Sequence, residues 1–234
     1  MSKRLLVAFY FLIPIFLSAQ NNLQFLGHLP YDTATLAGCG HYVDHTGGEW
    51  ALVGTSKGLS FVDVGSPAQP VQRFYIPQIQ NLWREIKTWN GYAYAGSEAT
   101  KSGITIVDLH YLPDSIRWKK WSGDGVYDSL VVNSHTVQAQ DGYLYINGGG
   151  NVTSGTTIAD LSDPWNPHIV GKYSDNYVHD CFVRGDTMWT SEIYTGQFSV
   201  VKITDRSNPQ ALISQPTPIA VNHKSWLSEE RKTR

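Results

Sequence analysis

Thr156-Thr-Ile-Ala-Asp-Leu-Ser-Asp-Pro164-Trp-Asn-Pro167 is a short run of β-branched and apolar residues closed by an aspartate and a proline-rich turn. The pattern recurs as Leu59-Ser-Phe-Val-Asp-Val-Gly-Ser-Pro67-Ala-Gln-Pro70, Ile104-Thr-Ile-Val-Asp-Leu109 and Phe198-Ser-Val-Val-Lys-Ile-Thr-Asp-Arg-Ser-Asn-Pro209. Asp63, Asp108 and Asp160 hold one place of the repeat and Lys202 the fourth, at spacings of 45, 52 and 42 residues. Upstream of each copy lies a second anchor. Trp89-Asn-Gly-Tyr92-Ala-Tyr94 matches Gln140-Asp-Gly-Tyr143-Leu-Tyr145, with Arg184-Gly-Asp-Thr187-Met-Trp189 and Gly48-Glu-Trp50-Ala-Leu52 completing the set. Asn-Gly and Asp-Gly between alternating aromatics are tight-hairpin signals. Each repeat therefore reads as strand, hairpin, strand, loop, strand, proline turn, strand.

Four strands in about 40–50 residues form the unit of a β-propeller blade. A lone blade cannot bury both faces, whereas stacked blades bury their aromatic and β-branched faces against each other. A β-sandwich is the competing all-β fold, but it has no need of a shared period. The expectation is an all-β propeller of four-stranded blades over residues 21–234. Leu23–Leu29 resembles an outermost strand, and Asn222–Leu227 resembles the first strand of a fifth blade. Four repeats and these fragments would leave an open arc, so the chain is expected to be a C-terminally truncated piece of a longer propeller.

Composition agrees with this class. The 234 residues are 41% hydrophobic and 16% charged with a net charge of −2, which opposes disorder. The balance of charge gives no basic footprint for nucleic acid. At the start, Lys3 and Arg4 precede an apolar run from Leu5 to Leu17, then Ser18, Ala19 and Gln20. This is the layout of a signal peptide over residues 1–20; the run is too short for the roughly 20 residues of a membrane span. No later stretch reaches spanning length. Export would permit a disulfide between Cys39 and Cys181, with two small buried thiols as the alternative. Asn151-Val-Thr153 is a glycosylation sequon.

The repeats resemble those of LVIVD-repeat propellers, through Leu59–Asp63, Ile104–Asp108 and Gly155–Asp160. The order of segments also resembles the secreted bacterial choice-of-anchor B family. The resemblance runs through Glu49–Gly54, Leu82–Lys87, Tyr177–Asp180, Ser191–Gly196 and Asn222–Ser228, and it covers essentially all of 23–234. It implies a propeller behind a signal peptide and a C-terminal anchoring segment of variable type. It implies no particular activity.

Candidate chemistry follows from counting within the repeat. Eight residues before Tyr92, Tyr143 and Thr187 stand Arg84, His135 and His179, and the fifth copy supplies His223. These equivalent places fall at the start of the innermost strands, around a central channel. Their neighbours include Trp83, Glu85, Asn133, Asp180 and Asn222. The hairpin's second strand returns to the same end near Glu98 and Glu192, because antiparallel strands put those ends on one rim. Imidazoles with carboxylates suit a divalent metal held by His135, His179 and His223, general acid–base work, or capture of a polar ligand. The alternative is a structural network of polar groups. Asp63, Asp108 and Asp160 are expected to bond backbone N–H groups of the following turn. No phosphate-binding loop, nucleophile elbow or zinc-protease helix occurs. The leading expectation is a non-catalytic exported module whose rim binds a protein, a glycan or a small polar molecule. The second is a metal-dependent hydrolase or oxidase with Glu98 or Glu192 as base.

Overall fold

The computed structural model describes residues 24–150 and 154–227. The expected signal peptide over residues 1–20, the sequon at 151–153 and residues 228–234 lie outside the described residues.

The described chain forms sixteen strands in four antiparallel sheets, each built from four strands consecutive in sequence. The first sheet holds β1 (Leu36–Val43), β2 (Glu49–Thr55), β3 (Gly58–Asp63) and β4 (Val71–Pro77). The second holds β5 (Arg84–Trp89), β6 (Tyr92–Ser97), β7 (Ile104–Asp108) and β8 (Arg117–Trp121). In the third are β9 (Thr136–Gln140), β10 (Tyr143–Asn147), β11 (Thr156–Asp160) and β12 (His168–Tyr173). The fourth contains β13 (Asp180–Arg184), β14 (Thr187–Glu192), β15 (Gln197–Lys202) and β16 (Gln210–Pro216). Within each sheet the strands pair in chain order, and successive inner strands pack on each other, β1 on β5, β5 on β9 and β9 on β13. This is the arrangement of propeller blades.

The hairpins explain the register. Asn90 and Gly91 have φ of 44° and 76°, and Asp141 and Gly142 have 51° and 79°. Two consecutive left-handed residues match the right-handed twist of the flanking strands. The turn aspartates act as the sequence suggests. Asp63 accepts from the N–H of Gly65 at 3.0 Å, Asp108 from His110 at 3.1 Å and Asp160 from Ser162 at 2.6 Å. In the fourth blade, where Lys202 stands at that place, Asp205 performs the task three residues later by accepting from Ser207 N–H at 3.0 Å.

Alternation along the strands sends side chains to both faces, and the facing sides of successive blades bury each other. Leu52 and Phe61 of the first blade meet Ile86 and Val107 of the second. Tyr94 and Ile106 of the second meet Leu144 and Ile146 of the third, and Tyr145 and Ile158 of the third meet Met188 and Val201 of the fourth. Each such burial is worth about 1.5–3 kcal/mol. Blades approach closely where a side chain is absent. A Cβ on Gly54 would lie 2.6 Å from the Arg84 carbonyl oxygen, and one on Gly38 2.8 Å from the same atom.

Several expectations are corrected. Residues 24–29 form no strand; the segment lies against the first blade's proline turn, with Gly27 on the Pro67–Ala68 backbone and Tyr31 OH bonded to Ser60 Oγ at 2.7 Å. Residues 222–227 form no strand either. A strand needs a ladder partner, and no fifth sheet pairs with either segment among the described residues. Cys39 and Cys181 are both free thiols, and only Cys181 is buried.

Candidate functional site

The start of each inner strand faces one mouth of the channel, where a cavity of about 300 Å³ opens. His135 and His179 immediately precede β9 and β13. Their ring centroids lie 4.1 Å apart with the planes tilted by 53°, and His179 meets His223 at 4.2 Å and 50°. Three equivalent positions of successive repeats thus form one column of imidazoles, although residues 222–227 lack a strand. Trp83, just before β5, continues the row with its ring 5.7 Å from that of His135, and it is 49% exposed.

Hydrogen bonds fix the ring orientations. His179 Nδ1–H donates to the carbonyl oxygen of His223 at 2.9 Å. A carbonyl only accepts, so the Nε2 of a neutral His179 carries a lone pair. Burial, with the neighbouring His135 and His223 rings adding to it, pushes the His179 pKa down to about 4, so this imidazole is neutral at pH 7. His135 Nδ1–H donates to Glu98 Oε1 at 2.6 Å, which again turns Nε2 away from the tie. No hydrogen bond engages either Nε2 among the described residues. Below the column, Thr136 Oγ1 donates to the His179 carbonyl at 2.8 Å, and Asn147 links Thr136 to Thr156.

The other charges at the mouth are internally paired. Lys224 Nζ lies 3.1 Å from Asp180 Oδ2, and Asp180 Oδ1 accepts the N–H of Cys181 at 2.8 Å. Burial lowers the Lys224 pKa, but the Asp180 charge and hydrogen bond outweigh it and the net displacement is upward. Glu85 pairs with Lys87. Among the described residues Glu98 has no lysine partner, and its Oε1 is tied to His135. Tyr177 stands beside it, bonds the Gly148 carbonyl at 2.9 Å and rests 4.6 Å from the ring of Tyr194. Burial, together with Tyr194 and Glu98, pushes the Tyr177 pKa up to about 12, so its phenol remains a donor.

Arg84 lines the cavity as expected but turns its guanidinium into the fold, and Glu192 lies away from the mouth. Arg84 is 3% exposed, and its guanidinium bonds the carbonyl of Thr55, that of Ile79 at 2.9 Å and Ser97 Oγ at 3.5 Å. It clamps the first two blades together, and desolvation lowers its pKa. Glu192 is fully buried. It accepts from Ser199 Oγ at 2.7 Å, Asn176 Nδ2 at 2.8 Å and Thr190 Oγ1 at 2.9 Å, with Tyr173 OH at 3.4 Å. The cause is register. Thr187 and Tyr92 are equivalent, so Glu192 corresponds to Ser97 and not to Glu98. A one-residue offset reverses the face to which a side chain points.

The mouth also contains residues that counting did not find. The first hairpin has a five-residue loop, Asp44 to Gly48, instead of a two-residue turn, so the count of eight misses Ala37. There Leu36, Ala37 and Gly38 line the cavity with small or apolar groups and leave room opposite the column. Lys224 and the Tyr177–Tyr194 pair were also outside the count. Among the described residues no group of three His, Cys, Asp or Glu could hold a metal ion.

No family model and no curated protein matches the chain. Solved structures match at the level of fold. A candidate 6-phosphogluconolactonase from Bacteroides uniformis shares 11% identity with a TM-score of 0.54, over 81% of this chain and 58% of that one. A second, from Bacteroides fragilis, gives 11% identity and a TM-score of 0.49 over the same shares. Hsv2 of Kluyveromyces lactis gives 13% identity and 0.40, over 77% of this chain and 50% of that one. The chain therefore spans between half and three-fifths of the length of these structures. The Bacteroides uniformis likeness supports the propeller architecture and, at that identity, nothing finer.

Proposed function

We propose that the chain is the four-blade part of an exported, non-catalytic propeller of the LVIVD-repeat, choice-of-anchor B type, and that it binds a small polar ligand at the channel mouth. The observation that carries the binding reading is the aligned column of His135, His179 and His223, supplied by successive repeats and floored by a built polar network. Each of the first two rings has its Nδ1 committed to a protein acceptor, which leaves Nε2 for a guest. Rigid blades hold such groups at fixed spacing, which suits recognition.

Export is supported by the leader-like residues 1–20. The incomplete-arc reading is supported by the aromatic face of the fourth blade, where Phe182, Trp189 and Phe198 line a cavity closed only by residues 224–227. The equivalent residues of the inner blades, Tyr94 and Tyr145, are fully buried by the next blade. The metal-enzyme reading draws no support from the described residues, where no group of three His, Cys, Asp or Glu could hold a metal ion. Nor does the lactonase name of the structural neighbours transfer readily. At 11% identity the likeness carries the fold alone.

The test is an NMR screen of the intact chain against a library of small polar compounds, read at the imidazole nitrogens. Binding at the mouth shifts the His135 and His179 signals, and Ala37→Trp, which fills the open side of the cavity, abolishes the shift. A library that leaves those signals unmoved overturns the reading.

A further inference from the structure

The acceptor character of the mouth narrows the class of ligand, on the reading that the mouth is a binding site. His179 carries an Nε2 lone pair, His135 turns its Nε2 away from Glu98, and the partly exposed Glu98 stands beside the cavity behind His135, tied to it through Oε1. The remaining carboxylates are already neutralised within the protein, Asp180 by Lys224 and Glu85 by Lys87. A guest must therefore bring several hydrogen-bond donors. Those donors are drawn to Glu98, whose carboxylate has no lysine partner among the described residues.

Beside these acceptors stands an apolar plane. The Trp83 ring is half exposed and 5.7 Å from His135, and the exposed Tyr194 lies beyond Tyr177 on the Glu98 side. Aromatic rings of this kind favour partners with one apolar face and one wet edge. The cavity of about 300 Å³ sits at the lower limit of small-molecule sites, enough for one ring-sized unit. A pyranose combines these features: its hydroxyls donate around the edge and its axial C–H bonds make an apolar face. Sugar hydroxyls bonded to Glu98 gain the strength of a charge-assisted contact.

We infer that the channel mouth takes a neutral pyranose unit, stacked on Trp83, with its hydroxyls donating to Glu98 and to the Nε2 atoms of His135 and His179.

The experiment is saturation-transfer NMR on the intact chain with separate probes: glucose, galactose and N-acetylglucosamine; sorbitol, which has the hydroxyls without a ring; choline; and 6-phosphogluconate. The expected result is transfer to the axial ring protons of at least one pyranose, with no signal from sorbitol or 6-phosphogluconate. Trp83→Ala should weaken that binding at least tenfold and Trp83→Phe restore most of it, while Glu98→Gln weakens it without removing the stacking signal. The thermal midpoint of Trp83→Ala should stay near that of the parent, which separates lost binding from lost folding. Pyranose signals unchanged in Trp83→Ala would overturn the inference. So would sorbitol or choline binding as well as the sugars. If choline or 6-phosphogluconate alone shifts His135, the mouth remains a binding site and only the sugar inference falls. If none of the probes binds, the sugar inference again falls, and the wider library screen decides the binding reading separately.

Discussion

Lowering the pH from 7.5 to 4.5 should destabilise the fold through His179, and the size of the effect follows from its surroundings. Its folded-state pKa is about 4, against about 6.5 in an unfolded chain. Between those values the unfolded chain binds a proton at this site and the folded one does not. Stability is therefore fully present above pH 6.5 and is lost as the pH falls towards 4. Full linkage gives roughly 2.5 kcal/mol at pH 4.5. The ring lies at a cavity mouth where water screens its neighbours, so about 1–2 kcal/mol is expected. In a chain of 234 residues that corresponds to about 2–8 °C in Tm. His179→Phe keeps the stacking plane and removes the titration. It also removes the bond to the His223 carbonyl, so at pH 7.5 it should be less stable by about 1 kcal/mol. Its stability should then fall by about 1–2 kcal/mol less than the parent's between pH 7.5 and 4.5. Urea denaturation at both pH values measures this difference, and imidazole NMR reads the titration directly. Equal pH slopes in the two proteins, or a His179 midpoint at 6.5 or above, would refute the reasoning.

Other consequences are independent of that site. Glu192→Leu leaves the hydroxyls of Thr190 and Ser199 and the Asn176 amide without their acceptor, and should cost about 2–4 kcal/mol by denaturant titration, with Glu192→Gln losing less. Arg84→Met removes donors from the buried Thr55 carbonyl and from that of Ile79, and should cost about 1–3 kcal/mol; Arg84→Lys should not recover it, since one ammonium cannot reproduce the forked contacts. A thiol reagent should modify Cys39 rapidly in the native protein and Cys181 only on unfolding; burial pushes the Cys181 thiol pKa up, and two equally fast thiols would contradict its placement. Gly91→Ala adds a Cβ at a left-handed φ against the His110 ring and should cost about 1 kcal/mol or more, seen as a lower Tm.

The sheet structure was legible because a blade repeats its own punctuation. Asn90-Gly91 and Asp141-Gly142 set the hairpins, and the aspartates at 63, 108 and 160 cap the next turn. Equal steps along the repeat also put His135, His179 and His223 in one column, since blade geometry converts sequence period into rotation about an axis. The carboxylates resisted this treatment. Glu98 and Glu192 differ by one place in register, which no reading of strand ends alone detects, and the hydroxyls of Thr190 and Ser199 have no joint equivalent beside Ser97. Blade one escaped because a loop capped by Asp44 lengthens its hairpin. That carboxylate accepts from Thr46, Gly48 and the Trp50 indole. Its hydrogen bonds overcome burial and hold its pKa at about 2. Arg84 lines the cavity, but that its guanidinium turns into the fold was not legible, because a buried guanidinium and an exposed one look alike in one dimension.

The glycines at the blade contacts carry a consequence for the bore of the channel. Gly38 and Gly54 admit the Arg84 carbonyl, and Gly96 admits the Ser134 hydroxyl. Hydrogen atoms, instead of methyl groups, thus determine how near one inner strand sits to the next. A single alanine at any of these places would act as a shim, tilting neighbouring sheets apart and respacing the aligned rings while every ring stayed chemically intact. The aperture can thus be retuned from positions whose own side chains never meet a guest.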